Sequence, residues 1–199
     1  MDATTVLQLA DWRRRVSELY AEVRGLGAGP HAWDVWRQGK QHLYSEHPQS
    51  PVPPDRRGGY VFACFRYDAS ARVHAELTPT EPRHLDGDGE VPGMTHIGSL
   101  RFTMHGAAHH LGAFWLDGYA GGLFVPFTDS TSGAETYGGG RYALDTAKGA
   151  DLGAVREGIV LDFNFAYAPS CAHDPRWLCP LAPAGNRLRL PVRAGESGP

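Results

Sequence analysis

The chain has 199 residues, with 42% hydrophobic and 21% charged positions, the balance of a soluble globular protein long enough to bury one sizeable core. Its formal net charge of -3 gives no electrostatic case for nucleic acid or for an anionic membrane as partner. No apolar run approaches the roughly 20 residues needed to span a bilayer. The basic residues are almost all arginine, the lysines being Lys40 and Lys148. With abundant Ala, Gly and Pro, this bias matches a bacterial, GC-rich coding sequence.

The N-terminus carries Asp2 in place of a basic n-region, and its apolar residues are periodic, not continuous. That pattern is not a signal peptide. A cytoplasmic protein is expected, in which a stable disulfide is disfavoured. Residues 5–26 predict an amphipathic helix: Leu9, Trp12, Val16, Leu19, Val23 and Leu26 recur at three- and four-residue steps. This stripe is expected to dock on the rest of the chain or on a second subunit in a homodimer. Arg13, Arg14 and Arg15 fall off it, as on a solvated face. Gly25, Gly27 and Gly29 stop this helix and Pro30 opens a second, with a stripe of Trp33, Trp36, Lys40, Leu43 and Tyr44 ending at His47-Pro48. The proline-rich "HPQSPVPPDRRGG" continues no helix.

From residue 59 the texture changes to short β-rich runs such as YVFACFRY, ARVHAELTP, HHLGAFWL, IVLDFNFAY and RLRLPVR, punctuated by Gly, Pro, Asp and Ser. Few intervals have room for crossover helices, which favours antiparallel pairing. A mainly β single domain is predicted. It comprises an N-terminal helical segment over 1–48 and an antiparallel β-barrel or sandwich over 59–196, with two helices packed on it.

Three stretches carry the candidate chemistry. In DFNFAY, strand alternation places Asp162 and Asn164 on one face and Phe163, Phe165 and Tyr167 on the other. With the aromatic face on the helices, the polar one looks into the barrel or to solvent. In CAHDPRWLC the cysteines stand eight apart, whereas zinc sites use Cys-x2–4-Cys pairs and about four ligands. Cys171, Cys179 and His173 supply three, and one of the adjacent His109 and His110 could reach as a fourth. A buried or reactive thiol pair is the competing reading, and protein purified without added metal is expected to hold no stoichiometric zinc. The third stretch, TDSTSGAETYGGGRY, is neither a P-loop nor a nucleophile elbow. It reads as a long hairpin loop with a bulge, or as a functional loop in which Glu135 is acid or base, Tyr137 a donor and Arg141 a fork for an anion. Cys64 reads as a small core residue, His47 as a helix cap, and His105, His109 and His110 as surface residues at a hairpin.

The motifs HPQSPVP, FVPFTDSTSGAETYGGGRY, DFNFAYAPSCAHDPRWLCPLAPAGNRL and VRAGE resemble the bacterial and archaeal domain-of-unknown-function family 1684, over about residues 30–196. The resemblance implies no reaction. It implies hallmark positions at Asp129, Thr131, Gly133, Glu135, Thr136, Tyr137, Gly140, Arg141, Asp162, Asn164, Tyr167, Cys171, Cys179 and Asn186. His173 stands where such proteins often have Tyr, and Ala168 where they often have Asn, which argues against an essential metal ligand at 173.

The combined expectation is a barrel-mouth pocket for a small polar or anionic molecule. Glu135, Asp162 and Tyr137 would be its catalytic groups, and Arg141, Asn164, Tyr167, Asp129 and Thr131 its ligand-binding groups. No cofactor motif is present. The alternatives are a non-catalytic β-barrel module and a metal-binding protein using Cys171, Cys179 and His173.

Overall fold

Asp2 opens the first helix by accepting the Thr5 amide at 3.0 Å on its side chain, satisfying one of the donors a helix start leaves free. In the computed structural model, which describes residues 2–87, 91, 93–155 and 158–198 (backbone only at 154 and 155), helix α1 runs Ala3–Leu26. It ends where Gly27 takes a φ of 75°, a conformation open to glycine. Val16, Leu19, Tyr20 and Val23 are buried. The expected stripe is therefore buried only in its middle: Leu9 and Trp12 are half-covered and Leu26 is exposed. Helix α2, Pro30–Glu46, buries Ala32, Trp36, Lys40, Leu43 and Tyr44, the predicted face with Trp33 moved to its margin. Trp36 is fully buried, edge-on to Phe62 at 5.3 Å and to Phe165 at 5.5 Å. Its indole N–H donates to the Tyr20 hydroxyl at 3.1 Å, joining the two helices through a buried polar bond. A short α3 follows at Pro54–Arg57.

The β region is one antiparallel sheet of seven strands among the described residues. They are β1 (Arg72–Leu85), β2 (Met94–Met104), β3 (Ala107–Leu116), β4 (Gly122–Phe127), β5 (Arg141–Asp145), β6 (Ala154–Val155) and β7 (Gly158–Asp162), in the order β5-β4-β3-β2-β1-β7-β6. The protein is thus mainly β with N-terminal helices packed on an antiparallel sheet, as expected, and the sheet curls into a half-barrel. β1 extends beyond the predicted run because its register shifts between Pro79 and Arg83, a bulge that lets the strand pass two prolines. His105 and Gly106, with φ of 51° and 76°, make the two-residue turn between β2 and β3, the twist that matches paired strands.

Both faces of β4 and β5 are covered. Phe124 and Tyr142, with ring centroids 4.7 Å apart, join the helices in one core. Val125, Phe127 and Leu144 join β1, β2 and β3 in a second core inside the curl, completed by Leu188, Val192 and Ala194 of the C-terminal segment. Two expected strands are not regular ones. Residues 61–66 pair only around Cys64 and Glu196, and residues 187–193 touch β4's continuation through Thr128 and Arg187. The apolar residues of the second segment fill the curl as a plug instead of extending the sheet. No helix among the described residues is long and apolar enough to cross a membrane.

Candidate functional site

The loop after β4 is built around Asp129. One carboxylate oxygen accepts from the amide and the hydroxyl of Thr131; the other accepts from Arg141 at 2.7 Å. The Thr131 and Thr136 hydroxyls meet at 3.0 Å. Gly140, at φ 90°, returns the chain to β5 so closely that a Cβ there would lie 2.4 Å from the Phe127 carbonyl oxygen. Arg141, 1% exposed, also donates from its two terminal nitrogens to the carbonyls of Val192, Ala194 and Glu196. Burial lowers its pKa, opposed by the facing Asp129. It has no free fork to offer an anion.

Asp162 ends β7, and the alternation expected beyond it breaks. Its side chain accepts the Asn164 amide at 3.1 Å, which turns Phe163–Phe165 into a single 3-10 turn, as short acidic side chains do at helix starts. Phe163 consequently enters the core inside the curl while Phe165 and Tyr167 enter the helix-side core. Asp162 also accepts from Arg72 at 3.2 Å, and Asn164 bonds both the amide and the carbonyl of Asp68. Burial raises the Asp162 pKa, against the pull of Asn164 and Arg72.

Glu135 lies elsewhere. It is exposed and paired with Arg193 through bonds of 2.8 and 2.9 Å, the Arg193 guanidinium lowering its pKa. The expected single cavity lined by Glu135, Tyr137, Arg141, Asp162 and Asn164 does not form. The physical reason is that Arg141, Asp162 and Asn164 are buried and pair with side chains and backbone inside the fold, whereas Glu135 faces solvent. An exposed pair of this kind contributes little to stability. Glu135→Gln is expected to leave the urea unfolding midpoint unchanged within error.

A cleft of about 430 Å³ opens instead between α1, the turn after β3, the end of β5 and the 170–180 loop. Phe124, Tyr142 and Asp145 reach it from the sheet, Leu9 and Trp12 from α1, and Trp177, Leu178, Cys179 and Pro180 from the loop. Arg13 and Lys148 bring positive charge. Asp145 is 2% exposed, accepts the Tyr167 hydroxyl at 2.8 Å and lies 3.8 Å from the Lys148 ammonium. Behind it, the Lys40 ammonium rests 4.3 Å from the centre of the Tyr167 ring and 4.4 Å from that of Tyr44. Burial pulls its pKa down to about 8. The Tyr142 hydroxyl donates to the Pro180 carbonyl at 2.7 Å, fastening the loop to β5.

Cys171 and Cys179 are free thiols in this loop. Two successive turns fold the chain back so that the Cys171 amide lies 3.4 Å from the Cys179 sulfur. The Tyr137 hydroxyl is 3.9 Å from the Cys171 sulfur. A hydrogen bond from Cys171 pulls the Cys179 pKa down to about 6, and the same bond drives that of Cys171 up. His173 turns away from both. Its ring packs edge-on to Tyr44 at 5.2 Å, and its Nε2 lies 3.1 Å from Glu196 without a hydrogen bond's angles. Among the described residues no three His, Cys, Asp or Glu side chains converge as a metal site, so the set Cys171, Cys179 and His173 lacks the geometry of a centre. His47 does more than cap α2: its Nδ1 accepts the Gln49 amide, so Nε2 donates to Asp11 at 3.2 Å.

Of the residues singled out in the sequence, the structure thus brings Leu9, Trp12 and Cys179 into the cleft wall, with Cys171 and Tyr167 one contact behind and Tyr137 behind Cys171. It adds Asp145 and Lys148, which no motif marks, and Tyr142 and Trp177, which lie within the quoted motifs but carry no assigned role there. One usable signal existed, since Lys148 is one of only two lysines.

The architecture is a helix-packed antiparallel half-barrel with a plugged curl and a cleft between helix and sheet. The chain belongs to the family described as "Protein of unknown function (DUF1684)", whose model matches residues 61–197. It is similar to an uncharacterised protein of Haloarcula marismortui solved in solution by NMR, with 36% identity over 81% of this chain and 89% of that one and a TM-score of 0.60. No curated protein matches.

Proposed function

We propose that the protein binds a small molecule in the cleft between α1 and the 170–180 loop, one with a flat apolar body and an anionic group. The observation that carries this reading is the convergence of Trp12, Phe124, Tyr142 and Trp177 with the cations Lys148 and Arg13 around one space of about 430 Å³. Ligand sites of roughly 300–1,000 Å³ combine such apolar walls with a few polar groups that fix orientation. The partly exposed Trp12 and Trp177 would sandwich the body over a floor backed by Phe124 and Tyr142, and Lys148 would meet the anion as a point charge. Asp145 would turn away a second anionic group, so the site favours a monoanion. The carboxylate chemistry sought at Glu135 and Asp162 falls to Asp145 in this reading, with Tyr167 holding it in place.

The test is a panel of aromatic carboxylates, sulfonates and phosphate monoesters, read by tryptophan fluorescence and by melting temperature. At least one member is expected to raise the melting temperature, with Lys148→Ala weakening its Kd about tenfold, roughly 1.4 kcal/mol. Arg101→Ala, on the far hollow of the sheet's exposed face beside His74 and His110, is expected to leave that Kd unchanged. Binding indifferent to both Lys148→Ala and Trp177→Ala, or no binding across the panel at millimolar concentration, overturns the proposal.

A further inference from the structure

The loop that walls the cleft folds two free thiols together, the Cys171 amide lying 3.4 Å from the Cys179 sulfur, and neither ligand binding nor the packing of the core requires them. Of the three cysteines, Cys64 lies apart, in the segment bridged to Glu196, and burial pushes its pKa up to about 11. Cys171 begins the turn sequence at Ser170–Ala172, and Cys179 closes it. Both are half-exposed, and Cys179 faces the cleft, through which a small solute reaches it.

We propose that Cys171 and Cys179 form a reversible dithiol–disulfide couple, oxidised by a hydroperoxide and reduced by a low-molecular-weight dithiol. The inference stands on the paired sulfurs alone and does not rest on the binding reading. Cys179 is the attacking sulfur. With its pKa pulled down to about 6 by the Cys171 hydrogen bond, it is a thiolate at neutral pH, and the thiolate is the nucleophile. It attacks one oxygen of the hydroperoxide: an S–O bond forms, the O–O bond breaks, and the departing alkoxide takes a proton from water and leaves as the alcohol. Cys179 is now a sulfenic acid.

Cys171 is the resolving sulfur. The largest cause of its raised pKa is its bond to the Cys179 sulfur, and conversion of that sulfur to a sulfenic acid removes this cause. The Cys171 sulfur then attacks Cys179, the S–S bond forms, the S–O bond breaks, and water departs with the proton. Over both steps two thiols lose two electrons and two protons, and the hydroperoxide becomes alcohol and water. A dithiol reverses the bond by exchange, ending as its own cyclic disulfide. Disulfides of this transient kind are the ones that occur in reducing compartments.

The experiment uses the full chain and hydrogen peroxide itself. After stoichiometric peroxide, wild-type protein should lose two alkylatable thiols and the mass of two hydrogens, with a Cys171–Cys179 cross-linked peptide in the digest, and dithiothreitol should restore both. Cys171→Ser should stop at the sulfenic acid, trapped as one dimedone adduct at Cys179. Cys64→Ser should behave as wild type. Alkylation of Cys179 in the reduced protein should rise as pH passes through about 6 and level off above it, while Cys64 keeps gaining rate into the alkaline range. Retention of both thiols under peroxide, over-oxidation without an internal bond, or cross-links only between molecules each overturns the proposal. The wild-type peptide map decides the matter even where a serine variant fails to fold.

Discussion

Arg141→Ala is expected to lower the unfolding free energy by about 3–5 kcal/mol, the range for breaking a buried ion pair by removing one partner. The effect is large because the guanidinium is shared among one carboxylate and three carbonyls. Removing it leaves the Asp129 carboxylate, 0% exposed, without its countercharge, and strips donors from Val192, Ala194 and Glu196. Arg141→Lys should recover only part of the loss, because an ammonium cannot reproduce a planar fork reaching Asp129 and the C-terminal segment at once. The double variant Arg141→Met, Asp129→Leu should be less damaging than the two single losses added, since it leaves no unpaired charge. Urea titrations of wild type, Arg141→Ala, Arg141→Lys, Arg141→Met, Asp129→Leu and the double variant check this, and an unchanged midpoint for Arg141→Ala refutes it.

Lys40→Met should remove a pH dependence of about 3 kcal/mol from the stability curve. Lys40 is 4% exposed, donates to the Tyr44 hydroxyl at 2.8 Å, and has its pKa lowered from 10.5 to about 8 by burial, with Glu196 and Asp145 holding it up and Lys148 pushing it down. Between pH 8 and 10.5 the unfolded chain keeps a proton that the folded chain has released. Stability from this group therefore rises with pH across that window, and below it the full cost of a buried ammonium is present. The buried tyrosines act in the opposite sense near and above pH 10, since burial raises the pKa of Tyr20, Tyr44, Tyr142 and Tyr167. The measurement is therefore a difference. The stability of Lys40→Met minus that of wild type should be greatest below pH 8 and fall by about 3 kcal/mol by pH 10.5. A difference flat in pH would show that Lys40 titrates as in water.

The helices were legible in the sequence because periodicity reports burial directly. The stripe through Trp36, Lys40, Leu43 and Tyr44 is the face that α2 buries. The antiparallel pairing was legible from the spacing of the β-rich runs. The family motifs marked Asp129, Arg141, Asp162 and Asn164 as hallmark positions, and sequence reasoning assigns them catalytic and ligand-binding roles, but a polar residue that ties strand ends together carries the same pattern as one that meets a ligand. Alternation misplaced Phe163, which parts from Phe165 and Tyr167, because acceptance of the Asn164 amide by the Asp162 side chain overrides the two-residue period where the strand ends. The cleft itself was illegible. Trp12, Tyr142, Lys148 and Cys179 come from four separate segments, and only the packing of α1 against the end of β5 brings them to one space.

The acceptors of Arg141 lie 51, 53 and 55 residues further along the chain, in the same segment that plugs the curl with Val192 and Ala194. Synthesis delivers β5 to solvent before those carbonyls exist. Until they emerge, the growing chain holds an arginine with no buried partners but Asp129 and a sheet with its concave apolar face open to water. The helices and β1–β5 can meet as a nascent chain, but the concave face of the half-barrel is filled only once the segment carrying Leu188, Val192 and Ala194 has emerged. Chaperone engagement on the concave face should therefore persist until the segment around Glu196 emerges, and release should coincide with its arrival.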